Sequence, residues 1–201
     1  MVASWADNGA GHLLGSMLPD FEAMVRVPLI EVRDRQIRRG IELHHQTDRM
    51  FHQTPIFLSL CARALSALSE VGVRRGTARA VGHVGTEMFL DGWLTREQGY
   101  VDDYLAALEV EAQGSLQWQD AGAAFSKLRT RLMAWGAPRD YADPSFVYAR
   151  LTDALRHRPA LVVLEDQSAQ VLEFLPPFQQ MVEFHAPELL HQVRDGLDFA
   201  D

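Results

Sequence analysis

The chain is short of several features that would place it in a large protein class. It has one cysteine, Cys61, among 201 residues, so no internal disulfide can form. That thiol lies in the apolar run 56–65, where a free cysteine is expected as a small buried hydrophobe. No stretch approaches the roughly 18–20 apolar residues of a membrane span, and the first residues lack the basic region and apolar core of a signal peptide. The expectation is a cytoplasmic protein with no membrane role. Cationic charge is also in deficit: 19 Lys and Arg face 27 Asp and Glu, a net charge of −8. That balance argues against sequence-independent binding to nucleic acid, which needs a cationic face to displace counterions. Repeats, low-complexity tracts and linkers are missing too, so one domain spanning 1–201 is expected. Its 47% hydrophobic content is enough for a substantial core.

What is present is helical periodicity. Residues 1–15, rich in Gly, Ala, Asn and Asp, read as an irregular opening segment. From Leu29 to about Phe51 the apolar positions Ile30, Ile37, Ile41, Leu43 and Met50 recur at helical spacing. Thr54 followed by Pro55 caps a second helix over 56–68. A third carries Val81, Val84, Met88 and Phe89, and Thr95 with Gln98 resembles a capping box opening a fourth over 96–112. Helical patterns continue over 116–135, 145–155 and 160–197, with breaks at 136–144, 157–159 and Pro176-Pro177. No alternating strand pattern competes. The fold class is therefore all-α, a single-domain bundle of about seven or eight helices, with 16–95 as a half rich in chemistry and 96–201 as a packing half.

The chemistry lies in two stripes. GIELHHQTDRMFHQTP places His44, Asp48 and His52 at i, i+4 and i+8 on one helix, and GHVGTEMFLDGWL places His83, Glu87 and Asp91 at the same spacing on another. His45 points a quarter-turn away. Buried polar side chains need partners, and two imidazole–carboxylate stripes facing each other make a mixed N/O site for a divalent metal, with Mn²⁺, Fe²⁺ or Zn²⁺ favoured over Mg²⁺ or Ca²⁺. Gly82 and Gly85 within the second stripe suggest the close approach of a helix or ligand. Asp20, in GSMLPDF, reads as a helix N-cap or a further ligand.

At these residues the chain resembles the acyl carrier protein phosphodiesterases, a family of helical, distorted HD-type metallohydrolases. GSMLPDF is similar to the family's Gly-Asn-Leu-Leu-x-Asp-Phe, with Asp20 on its aspartate. The block from Gly40 to Pro55 is similar to Gly-x-x-x-His-x-x-x-Asp followed by proline, with His44 and Asp48 on the His and Asp, and His52 where Asp is common. The third block, Asp-x-x-x-Asp-His-Phe-Leu in the family, has here His83, Glu87, Met88, Phe89 and Leu90, so an imidazole is replaced by a thioether. The resemblance implies an HD-like fold and Mn²⁺-dependent removal of 4′-phosphopantetheine from holo acyl carrier protein. Asp20, His44, Asp48, His83 and Glu87 would hold the ion, with His52 or Asp91 as proton acceptor or outer-shell orienter. An acidic carrier protein would dock on cations, for which Arg35, Arg38 and Arg39, with Arg74 and Arg75, are the candidates. The alternatives are hydrolysis of a nucleotide or other small phosphate ester, and a non-enzymatic helical binding protein.

Overall fold

The computed structural model describes residues 9–96, 98–112, 114–137 and 139–198. Among these the fold is all-α, as expected. Its eight helices are α1 (Ala10–Val25), α2 (Arg35–Gln53), α3 (Pro55–Glu70), α4 (Arg75–Leu94), α5 (Gln98–Glu109), α6 (Ala123–Trp135), α7 (Pro144–Leu155) and α8 (Ser168–Asp198). Two short strands, β1 (Leu29–Val32) and β2 (Leu116–Trp118), pair antiparallel. The described residues form two compact units, one within 1–49 and 97–138, the other within 50–96 and 139–201.

In the first unit, α1 packs against α5 and α6 over a core that includes Leu14, Leu18, Phe21, Ile37, Leu108, Trp118, Phe125 and Leu128. α1 begins at Ala10, inside the segment expected to be irregular. Its Gly11 and Gly15 serve contact with α2: a Cβ on Gly15 would stand 2.1 Å from the Ile37 carbonyl oxygen, and one on Gly40 2.0 Å from that of His12. Glycines normally counted against a helix therefore mark a close backbone crossing. Asp20 lies inside α1 after Pro19, not at an N-cap. The expected helix from Leu29 divides into β1 and α2, because Asp34 accepts from the backbone N–H groups of Gln36 and Ile37 and starts α2 afresh. The helix expected from Leu116 likewise yields β2, whose inward Leu116 and Trp118 flank outward Gln117, before α6.

In the second unit, α3 and α4 form a hairpin, and α8 packs against α3, α4 and α7. Thr54 caps α3 as expected: its hydroxyl accepts from Phe57 N–H and Pro55 occupies the first turn. Thr95 does not open α5; it closes α4, donating from its hydroxyl to the Gly92 carbonyl. α8 runs through Pro176, Pro177 and Pro187 without breaking. A proline inside a helix costs about 3 kcal/mol. All three lie on the exposed side, as do Leu172 and Glu173, whose carbonyls face the first two prolines. Opposite them, Val171, Leu175, Phe178, Val182, Ala186, Leu189 and Val193 are buried at helical spacing, each of them but Ala186 contributing about 1.5–3 kcal/mol. Burial outweighs the proline cost.

Candidate metal centre

Three chemistry-bearing side chains of the second unit converge. His52, in the last turn of α2, and His83 and Glu87, one turn apart on α4, each offer one atom within 4.8 Å of the others. The Nε2 atoms of His52 and His83 are 3.2 Å apart. Glu87 Oε1 stands 3.2 Å from the first and 3.3 Å from the second. The imidazoles are stacked, with centroids 4.7 Å apart and planes 14° from parallel.

Their positions follow from local packing. The Phe57 ring meets both imidazoles edge-on, at 4.9 Å from His52 and 5.2 Å from His83, and it is itself buried beside Phe51. Phe57 is fixed by the Thr54 cap. Gly82, just before His83, lets α4 close on α3: a Cβ there would stand 2.8 Å from that of Ala64. Gly85 faces the Phe178 ring of α8 at 3.4 Å. The close approach expected at both glycines is thus that of neighbouring helices.

The electrostatics are those of a cation site. Burial pushes the Glu87 carboxyl up, but hydrogen bonds and charge from His52 and His83 outweigh it and bring it down to about 2. Glu87 therefore carries its charge at neutral pH. Two imidazole nitrogens and a carboxylate oxygen this close can be held by hydrogen bonds from a ring N–H or by a metal ion that takes a lone pair from each. The side chains remain 27%, 46% and 38% exposed, so a solvated ion can reach them. This N₂O donor set fits Zn²⁺, Fe²⁺ or Mn²⁺ and does not distinguish among them.

The structure thus brings His83 and Glu87 of the second stripe together with His52 of the first. Asp91 follows Glu87 by one turn of α4 and is half-buried. Asp20, His44 and Asp48 lie in the first unit and are not members of the group. Asp20 and Asp48 are exposed. His44 Nδ1 is 2.9 Å from the Ser16 carbonyl oxygen and donates to it. His45, exposed, meets the His44 ring edge-on. Among the cationic candidates, Arg35, Arg38, Arg39 and Arg75 are exposed. Arg74 is otherwise employed: its guanidinium donates to the carbonyls of Val162, at 2.7 Å, and Pro159. Sequence reasoning missed Phe57, whose signal was its place directly after a Thr-Pro cap in the helix facing the second stripe.

No helix among the described residues is long and apolar enough to cross a membrane. Compared with known proteins, the chain matches no family model, no curated protein and no solved structure.

Proposed function

We propose that this protein is a metal-dependent phosphodiesterase whose substrate is the diester joining 4′-phosphopantetheine to holo acyl carrier protein. The observation that carries the hydrolase reading is the convergence of His52, His83 and Glu87. The substrate rests on the likeness of the sequence around Asp20, His44 and Asp48 to the phosphodiesterase motifs, and so does the preference for Mn²⁺.

His52, His83 and Glu87 would hold the ion. When bound, a divalent metal supplies Lewis acidity toward a phosphoryl oxygen and a water acidified toward neutral pH. Glu87, kept ionised by its two histidines, offsets the ion's charge. Phe57 restrains both imidazoles so that their Nε2 atoms stay aimed at Glu87, which limits the entropy lost on ligation. Asp91, one turn along α4, is the group assigned to accept a proton. In the first unit, the Ser16 carbonyl orients the His44 ring through its Nδ1, the kind of bond that orients metal-ligating histidines. The exposed Arg35, Arg38 and Arg39 offer an acidic carrier protein its docking charge.

The test is to incubate purified protein with holo acyl carrier protein and Mn²⁺ and follow the carrier by mass. Loss of the phosphopantetheine arm, abolished by Glu87→Gln, is the expected result; a loss of turnover in Asp48→Ala as well would bring the first stripe into the reaction. Cleavage of free phosphodiesters with the carrier untouched would move the activity to small phosphate esters. Absence of metal uptake would remove the hydrolase reading and favour a non-enzymatic binding protein.

A further inference from the structure

One turn beyond the cluster, α4 meets a second group of polar side chains. Asp91 follows Glu87 by four residues, so its side chain leaves the same face about 6 Å further along the axis. Here α4 is pressed against the 3₁₀ turn Arg139–Ala142. A Cβ on Gly92 would stand 2.6 Å from the carbonyl of Tyr141, so only glycine admits the turn. Gln179 of α8 tethers the turn from its other end, donating to the Ala142 carbonyl at 2.8 Å. Tyr141 is thereby fixed, its ring 5.7 Å from that of Phe146. Burial raises the pKa of its hydroxyl; the charge of Arg150 on α7 and a hydrogen bond from it act the other way, and the Asp91 charge adds to the rise.

Arg150 is held in place yet under-satisfied. Its Nε is buried with no hydrogen-bond partner. Its ion pair with Asp153 is long, at 4.0 Å, and Asp153 already takes a 2.6 Å bond from Arg156. The side chain as a whole is 38% exposed, so with Nε buried it is the solvent-facing part of the guanidinium that a ligand can reach. A planar fork of N–H donors beside a phenolic O–H is the donor set of an oxyanion site, and arginine binds phosphate oxygens in pairs.

We propose that Arg150 and Tyr141 form an anion subsite, one helical turn from the His52–His83–Glu87 cluster, that takes the phosphate of a phosphate-ester ligand. Its contribution to substrate rests on the hydrolase reading; its affinity for phosphate does not. Asp91 works against the bound anion by like charge and so limits how tightly it is held.

The experiment titrates inorganic phosphate into metal-free and Mn²⁺-loaded protein by calorimetry. Phosphate is expected to bind both forms, more tightly the loaded one. Arg150→Gln should weaken binding about 10-fold or more in each form, the effect of losing a charge-assisted bond. Asp91→Asn should tighten it. Acetate, offered in place of phosphate, should bind more weakly. Unchanged phosphate affinity in Arg150→Gln, acetate binding equal to phosphate, or no binding to either form would each overturn the subsite. If Arg150→Gln does not fold, Tyr141→Phe decides: it removes one hydroxyl, and unchanged affinity there overturns the proposal equally. Phosphate affinity that depends on Arg150 but is indifferent to Mn²⁺ would uphold the subsite and count against the hydrolase reading alone.

Discussion

His52 lies stacked on His83 with their Nε2 atoms 3.2 Å apart. With Glu87 Oε1 beside both, the two ring nitrogens offer a divalent ion three donor atoms around one point, in place of the hydrogen bonds they share without it. Mn²⁺ or Zn²⁺ should therefore bind with one-to-one stoichiometry in calorimetry and release protons as it does. His52→Ala and His83→Ala should each weaken binding by more than the roughly 10–100-fold that loss of an outer-shell partner costs. Binding unchanged in either variant would show that the cluster is held by hydrogen bonds alone.

Glu87 supplies a prediction on acid stability. Its folded pKa, about 2, lies below the ordinary 4.5, so the unfolded chain binds the proton first as pH falls. The stabilisation is complete above about 4.5 and is lost as pH falls toward about 2. Urea titrations of metal-free protein across that range should show wild type losing stability with acid more steeply than Glu87→Gln. Parallel curves would mean that the carboxylate does not interact with the two histidines in solution.

Cys61 reports on the same charge from α3. Burial pushes its thiol up, and the Glu87 carboxylate adds to this, bringing it to about 11. At neutral pH the thiolate fraction is small, and the thiolate is the reactive form. Removing the neighbouring charge in Glu87→Gln should speed alkylation by iodoacetamide. Neutralising it with bound metal should act in the same direction. A rate insensitive to both would place Cys61 outside the field of the cluster.

The second stripe was legible in the sequence because α4 keeps a regular helical period through His83, Glu87 and Asp91. The helical class was legible for the same reason, as was the Thr54–Pro55 cap. What could not be read depended on partners distant along the chain. β2 has only three residues, too few for alternation to register. The Pro176-Pro177 pair reads locally as a break, and only the buried face of α8 shows why the helix continues. His52 continued the stripe of His44 and Asp48, but nothing local showed that its imidazole stacks on His83, thirty-one residues away. Gly15 and Gly40 read as weak helix positions until their contacts with Ile37 and His12 are seen.

Gly40 therefore has an unusual sensitivity. A methyl group there would stand 2.0 Å from the His12 carbonyl oxygen and 2.7 Å from the Ser16 nitrogen, and backbone cannot rotate aside as a side chain can. Gly40→Ala should destabilise the protein by about 3 kcal/mol or more, the upper end of overpacking costs, despite alanine's better helix propensity. Gly99, in the first turn of α5, has nothing within 4 Å of its Cβ position. Gly99→Ala should be stabilising by up to about 1 kcal/mol. Equal effects of the two substitutions in chemical denaturation would contradict the close crossing of α1 and α2.

The same crossing buries His12, and this gives a separate dependence on pH. The residue is 6% exposed, and neither ring nitrogen has a hydrogen-bond partner. Burial lowers its pKa from the ordinary 6.5; the Arg39 carbonyl, near but not at bonding geometry, offsets part of this, and the Arg39 charge lowers it further. The unfolded chain then takes up the proton before the folded one does. Stability is complete above about 6.5 and falls as pH drops below that value toward the lowered folded pKa. His12→Leu removes both unpartnered nitrogens, each a burial cost of about 1–3 kcal/mol, as well as the titrating group. The variant should be at least as stable as wild type at pH 8, and should lose less stability between pH 7 and pH 5. Because Glu87 titrates far below this window, the difference between the two proteins isolates His12. An unchanged pH slope would mean that water or a rearranged Arg39 reaches the ring in solution.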